Sequence, residues 1–353
     1  MRPHKFALLG AVAFIAACGD SNSTTPVMPP IGTRFNVTPL VADSAGAGTR
    51  IVDTNLVNPW GLAFSTNGTL WVSDNHTGRS TLYHPDGSVV ATVVAIPSNT
   101  DTLSGGSPTG VIFSSGSPFI IPGAGAALFV FASEDGTISA WNASTPHARR
   151  VANRSAQSAV YKGIAMDTSA GKPMLFATNF RHNGVDVFDT SFTFVRSFTD
   201  STVPAGYAPF GIANIGGALY ITFALRAPPD SMDDLHGSGN GFVDVFASSG
   251  KLVRRFASNG PLNSPWAVVQ APSGFGNLVG DILVGNFGDG HITAFDASGH
   301  VVSAIVDSAG NPVVIEGLWG LSFGPAAADP TTLFFAAGPR DETQGLLGTI
   351  RAR

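Results

Sequence analysis

Apolar and polar positions alternate along this chain in short runs, with no helical stripe. Gly184-Val185-Asp186-Val187-Phe188, Gly241-Phe242-Val243-Asp244-Val245-Phe246 and His291-Ile292-Thr293-Ala294-Phe295 show the pattern most clearly. A period of two is the mark of a strand with one face buried. Each run sits inside a longer phrase that returns six times. An aromatic or small residue is followed by Gly or Ala, then by one apolar strand, a gap, and a second apolar strand. The openings are Asn58-Pro59-Trp60-Gly61, Ser107-Pro108-Thr109-Gly110, Tyr161-Lys162-Gly163, Ala208-Pro209-Phe210-Gly211, Ser264-Pro265-Trp266-Ala267 and Gly317-Leu318-Trp319-Gly320. From Trp60 to Trp319 they are spaced by 49, 53, 48, 56 and 53 residues. Short strands repeating at about this interval predict propeller blades.

The first repeat supplies the detail. Strands are expected at Gly61–Phe64, Leu70–Ser73, Ser80–His84 and Val89–Ile96, with Asn67-Gly68 and Asp86-Gly87 as turns. The sixth repeat runs out of chain after three strands, while Phe35–Val41 is an unmatched strand at the other end. Placing it outermost in the sixth blade closes the ring and removes an open edge, and Pro39 suits an edge position. The expected fold is therefore all-β: a six-bladed β-propeller of four-stranded antiparallel blades over residues 34–353.

Composition agrees with a large buried core. The 353 residues are 44% hydrophobic and 12% charged, with 42 Gly and 24 Pro, which excludes disorder. The net charge of -5 is spread out, and no Lys/Arg cluster points to nucleic acid. A monomer is expected. Residues 1–17 read as a leader: Arg2, His4 and Lys5 precede a Phe6–Ala17 apolar stretch too short to span a bilayer. Ile15-Ala16-Ala17-Cys18 resembles a bacterial lipobox, and Cys18 is the sole cysteine. Lipid on Cys18, a tether over 18–33, and export to a bacterial cell envelope are the expectations. By the same resemblance Gly19 favours the outer membrane. An ordinary leader with an incidental cysteine is the alternative.

The layout resembles the NHL-type and lactonase-type six-bladed propellers. More closely, the chain resembles an uncharacterised bacterial family of exported propellers. The resemblance runs through Asp53–Ala63, Leu70-Trp71-Val72-Ser73-Asp74-Asn75, Gly237–Phe246 and Leu333–Pro339. It implies the fold and carries no reaction.

A site is expected where the openings and the ends of the second strands converge on one face, the channel mouth. The residues opening the inner strands include Trp60, Lys162, Phe210, Trp266 and Trp319. They form either an aromatic wall for a small molecule, glycan or protein segment, or a structural plug. The residues closing the second strands include Asp74, Glu134, Asn179 and Asn286. Two carboxylates and two carboxamides suit a hard cation such as Ca²⁺, and the lactonase-type resemblance implies a divalent ion held by such a set. Strand-end turn hydrogen bonds are the competing explanation, and in the second repeat Glu134 or Asp135 is the candidate acid. The irregular segment 226–241, with Asp230, Asp233, Asp234 and His236, belongs on the same face, as does 338–345 with Arg340, Asp341 and Glu342. His76 and His182 also follow second strands. No nucleophile, zinc or phosphate-loop motif occurs. Two functional readings stay open: a binding module, and a metal-assisted lactonase, esterase or lyase.

Overall fold

The structure, a computed structural model, describes residues 33–45, 48–114, 118–167, 171–228 and 232–353. The expected leader, Cys18 and the tether as far as Gly32 lie outside the described residues, as does Asp230. Residues 33–353 form one compact unit.

Six sheets follow one another round a ring, and in blades one to five the strands run in chain order from the axis outward. Blade one is Pro59–Phe64, Leu70–Asp74, Arg79–Tyr83 and Val89–Ala95. Blade six takes Leu318–Phe323, Leu333–Ala337 and Leu346–Ala352 from the C-terminus and Phe35–Ala42 from the N-terminal side. Phe35–Ala42 pairs antiparallel with the last strand from Phe35↔Ala352 to Ala42↔Leu346, so the ring closes as expected. One detail differs. A two-residue strand, Ile51–Val52, adds in parallel outside it at Val41 and Ala42, and the register slips between Pro39 and Val41. A proline has no N–H for the ladder, and the slip falls there. Blade two also carries a small hairpin, Ile120–Ile121 with Gly125–Ala126, between its first and second strands.

Burial follows position in the blade. Second strands lie between neighbouring sheets, and Leu70–Asp74, Phe129–Ser133, Ile282–Asn286 and Leu333–Ala337 are buried throughout. Outer strands such as Phe194–Phe198 alternate half-buried with exposed. Water on one face sets that alternation; the third strands that carry the period of two in the sequence, Gly184–Phe188, Phe242–Ala247 and Ile292–Phe295, are instead buried on both faces, because a neighbouring sheet covers the face expected to be open.

The repeated Gly has a packing reason. A Cβ on Gly61 would sit 2.6 Å from the Thr109 carbonyl oxygen, and one on Gly110 would sit 2.8 Å from the Ile164 nitrogen. On Gly211 it would collide with the Trp266 carbonyl, and on Gly320 with the Trp60 carbonyl. At these four glycines the inner strand thus packs backbone-close against the next around the axis, leaving no room for a side chain. The residue before each Gly, and before Ala267 in blade five, sits in a register irregularity of its strand pair: Pro59/Leu62, Pro108/Val111, Tyr161/Ile164, Pro209/Ile212, Pro265/Ala267 and Leu318/Leu321. Such a bulge re-aims the intervening side chain. In blades three and four a second-strand threonine fills the gap, with the Gly163 and Gly211 N–H groups donating to Thr178 Oγ1 and Thr222 Oγ1, both at 2.7 Å.

Candidate functional site

The re-aimed residues meet on the axis. Trp60 and Trp319 stack at 3.4 Å between ring centroids, and Trp266 stands edge-on to both at 6.1 and 5.7 Å. Phe210 packs against Trp319 at 5.7 Å and is fully buried. Trp266 Nε1 donates to the Lys162 carbonyl at 3.1 Å. Together these side chains divide the channel. On the far side, a cavity of about 530 Å³ is lined by inner-strand residues such as Leu62, Ile164 and Ile212, with Trp266 at its end. On the mouth side, a polar pocket of about 330 Å³ is floored by Trp60 and Trp319. Of the five ring residues expected at a ligand, Trp60, Lys162 and Trp319 line the mouth pocket. Trp266 faces the far cavity, and Phe210 supports from beneath.

Lys162 is almost wholly enclosed, with its side chain 3% exposed. Its Nζ lies 2.5 Å from Glu134 Oε1, 3.7 Å from Asp233 Oδ1 and 5.0 Å from the centre of the Trp60 ring. Asn75 Nδ2 donates to the second oxygen of Glu134 at 2.9 Å. Burial pushes the Glu134 carboxyl up, but the ammonium outweighs it and holds the carboxyl below its usual range. Burial likewise pulls Lys162 down, and Glu134 more than restores it. Both groups are charged, so this pair is one wall of the pocket.

The opposite chemistry comes from two irregular loops. Glu342 Oε1 accepts from Trp319 Nε1 and Asn58 Nδ2, both at 3.1 Å, and burial raises its carboxyl above the ordinary range. The two ends of the blade-four loop pair with each other: Ala227 N–H donates to the Asp233 carbonyl and Leu235 N–H to that of Leu225, both at 2.7 Å. This presents Asp234, whose side chain is 6% exposed, 3.2 Å from Nδ1 of the half-exposed His236. Burial raises the Asp234 carboxyl, opposed by His236. The His236 ring lies 5.2 Å from Phe287, which stacks on Trp319 at 3.8 Å. The pocket lining holds five carboxyl groups (Glu134, Asp233, Asp234, Asp341, Glu342) against one ammonium. The indole N–H of Trp60 is buried and unpaired among the described residues.

The strand-end set expected for Ca²⁺ is not brought to one point. Asp74 is buried inside blade one, taking the Thr81 N–H at 2.9 Å, with its other oxygen unpaired. Asn179 binds the Val160 N–H and Asp186 inside blade three, at 3.2 and 3.1 Å. Asn286 donates to the Pro261 carbonyl and to Asp289 in blade five, at 2.7 and 3.1 Å. Only Glu134 reaches the pocket, and its oxygens are committed to Lys162 and Asn75. The reason is register. Pro59 pairs with Asp74, Pro108 with Ser133, Tyr161 with Asn179 and Pro265 with Asn286. Glu134 is therefore equivalent to the residues one place further on, Asn75, Phe180 and Phe287; strand alternation brings Asn75 and Phe287 to the mouth pocket, while Phe180 is buried against Phe210. Among the described residues no three His, Cys, Asp or Glu side chains are grouped as metal ligands. The four residues do not fit a shared cation. Of the three histidines expected near the mouth, His76 and His236 line the pocket, while His182 bonds the Gln157 carbonyl at 2.6 Å.

Comparison with known proteins shows the family and the fold. No family model matches the chain. Uncharacterized protein R648 of Acanthamoeba polyphaga mimivirus is 32% identical over 96% of this chain and 86% of its own length. Uncharacterized protein L690 of the same virus is 33% identical over 84% and 81%. These relatives are viral, so a bacterial family finds no support from them. Solved structures that match include virginiamycin B lyase from Staphylococcus aureus (TM-score 0.53, 15% identity, 91% of this chain and all of that one). A gluconolactonase from Xanthomonas campestris matches at TM-score 0.53 and 16% identity over 85% and 89% of the two chains. Regucalcin from Agrobacterium tumefaciens, a calcium-binding protein, matches at TM-score 0.53 and 14% over 84% and 92%. At such identities the likeness is one of fold. The chain belongs to the family of the mimivirus proteins R648 and L690, and it is built as a six-bladed β-propeller.

Proposed function

We propose that this propeller is a ligand-binding module whose mouth pocket takes a small organic cation with an apolar body. The observation that carries this is the pocket itself: stacked Trp60, Trp319 and Phe287 beneath five carboxyl groups and a single ammonium. The Lys162 charge is already satisfied by Glu134, which leaves Asp233, Asp341 and Glu342 to meet a ligand. Aromatic faces attract cations most strongly where water is excluded. Choline and its uncharged isostere 3,3-dimethylbutanol test the idea, read by tryptophan fluorescence, since Trp60 and Trp319 floor the pocket. Choline should bind at least tenfold more tightly, and salt should weaken it. Equal affinity for the two, or no response to choline, refutes the proposal.

Attachment to a membrane through lipid on Cys18, with the mouth facing outside the cytoplasm, belongs to the same proposal. Mass spectrometry of the purified full-length chain tests it: an acylated N-terminal Cys18 supports it, and an intact Met1 overturns it. The names of the lactonase and calcium-binding neighbours favour a second reading, a calcium-dependent hydrolase. In this chain it would need ligands other than Asp74, Asn179 and Asn286, which are turned into their own blades.

A further inference from the structure

One segment of the mouth is wound against the preference of L-amino acids. Arg340, Asp341 and Glu342 have φ of 55°, 52° and 64°, three left-handed residues in a row with no glycine among them. In that conformation Cβ crowds the following carbonyl, so single glycines, or at times Asp and Asn, are the usual occupants. The turn is held from both ends. Glu342 N–H donates to the Gly338 carbonyl at 3.1 Å, and Gln344 N–H to that of Pro339 at 3.2 Å. Asn58 N–H donates to the Gln344 carbonyl at 3.1 Å, and Arg340 N–H to Glu316 Oε1 at 2.9 Å. Asn58 Nδ2 also donates to Glu342 Oε1 at 3.1 Å, beside the Trp319 indole N–H. A plain connection between two strands has no need of such a path, and backbone held in a disfavoured form by its surroundings concentrates at ligand sites. The side chains it carries fit that rule: Asp341 and Glu342 both line the mouth pocket, while Arg340 is exposed outside it.

We infer that this left-handed turn decides the charge selectivity of the mouth pocket, by setting Asp341 and Glu342 beside the Trp319 floor, with Glu316 and Asn58 as its positioning residues. This deepens the proposed function and rests on it for the cationic ligand. Unwinding the turn to negative φ gives up the Glu342 and Gln344 backbone bonds and the Glu316 contact together, so the two carboxylates are fixed or released as a unit. A ligand cation meets the fixed pair only in the wound form, and its apparent affinity scales with the fraction of molecules that hold that form. An uncharged isostere depends on the aromatic floor and is indifferent to the turn. Glycine at position 340 favours the wound form. Proline there forbids it, because its ring fixes φ at about −65° and it lacks the N–H that Glu316 accepts.

The test titrates the full-length chain with choline and with 3,3-dimethylbutanol, read by tryptophan fluorescence, and melts each variant by calorimetry. Arg340→Gly and Arg340→Ala remove the same charge and differ in backbone freedom. The glycine variant should melt about 1 °C above the alanine one and keep the parent's preference for choline. Arg340→Pro should cut that preference to about threefold or less, with dimethylbutanol bound as before. Glu316→Ala should lower the preference at least about threefold, and Glu316→Gln, equal in charge to the alanine variant but with an acceptor oxygen, should recover most of it. If Arg340→Pro does not fold, the Glu316 pair decides alone. The parent's preference intact in Arg340→Pro or Glu316→Ala overturns the inference. So does its loss in Arg340→Gly, or a glycine variant that melts no higher than the alanine one. In each of those outcomes the choline reading stands. A parent chain that binds the two probes alike sinks that reading, and this inference with it.

Discussion

The ring of backbone-close contacts can be tested by adding a single carbon at each position. Gly61, Gly110, Gly163, Gly211 and Gly320 occupy one place in five blades, and alanine at each asks how far the neighbouring inner strand must move. At Gly163 the nearest atom, the Phe210 carbonyl oxygen, would be 3.1 Å from the new Cβ. A few tenths of an ångström of adjustment suffices there. At Gly110 and Gly61 the distances are 2.8 and 2.6 Å, both to backbone atoms. At Gly320 and Gly211 the Cβ overlaps a carbonyl oxygen of the next blade, so the two inner strands must separate. Forced overpacking costs roughly 1–3 kcal/mol, sometimes more. Gly211→Ala should reach or pass about 3 kcal/mol, and Gly163→Ala should stay near or below about 1 kcal/mol. At about 2.1 cal/mol/K per residue, roughly 320 residues unfold with about 0.7 kcal/mol/K, so the first is a fall in Tm of about 4–5 °C and the second about 1 °C.

Blade five provides the control, because Ala267 stands where the other five have glycine. Ala267→Gly should only loosen the chain, costing roughly 0.5–1 kcal/mol. Calorimetry of the six variants should rank them Gly211 and Gly320 first, then Gly61, Gly110 and Gly163. A Gly211→Ala protein that melts within about 1 °C of the parent, or one more stable than Gly163→Ala, refutes the packing argument.

Other predictions follow from the same coordinates. Lys162→Met leaves Glu134 in the pocket wall without its ammonium, and should cost about 3 kcal/mol in urea titration, the low end for a broken buried pair because Glu134 is partly open to the mouth. Adding Glu134→Gln should recover most of that loss. Removing residues 33–42 deletes the strand that pairs with Leu346–Ala352 and should abolish cooperative melting, whereas removing 1–32 should leave the Tm of the propeller within about 2 °C. Burial, reinforced by Asp200, pushes the Asp244 carboxyl up to about 7, while the Thr202 and Arg255 hydrogen bonds outweigh burial to hold Asp200 at about 2. The folded state therefore holds an extra proton on Asp244 between pH 4 and 7, and stability should fall as pH rises through that window. Asp200 gives the opposite slope below pH 4. Melting curves across pH 4–8 should flatten in Asp244→Asn, and an unchanged slope would count against this account. Trp319→Ala removes the centre of the aromatic floor and should weaken choline binding at least tenfold in calorimetric titration.

The architecture was legible because each blade solves the same packing problem with the same residues. The glycine after Trp60, Lys162, Phe210 and Trp319 is required by backbone contact with the neighbouring strand. The prolines before Trp60, Phe210 and Trp266 stand at the bulges that turn those side chains to the axis. A constraint met six times shows as a period. Closure by Phe35–Ala42 was legible for a related reason: one strand was missing at one end and one unmatched at the other. The extra strand Ile51–Val52 was not, since two residues carry no periodicity.

The site was half legible, and the division follows the repeat. Trp60, Lys162 and Trp319 sit at repeat positions, and all three line the mouth pocket. The candidate cation set failed by one residue. The bulge at each inner-strand opening shifts which second-strand residue faces the axis, so Asp74, Asn179 and Asn286 turn sideways while Asn75 and Phe287 turn to the mouth. Glu134 alone of that set lines the mouth pocket, since the blade-two alignment already ran one residue late. Asp233, Asp234, His236, Asp341 and Glu342 were noted as loop residues, yet nothing local says that two loops from blades four and six meet over Trp319. Those loops are where the repeat is broken. A propeller holds its scaffold constant and varies its mouth, so the residues that give this chain its own chemistry are those that obey no period. The acidic loops and the Asp234–His236 pair are accordingly the positions at which R648 and L690 are to be compared. A change of sign there would mean that the three proteins share a frame and bind different ligands, and Asp233→Lys in this chain, at a side chain 80% exposed, should then abolish choline binding while leaving the Tm within about 2 °C.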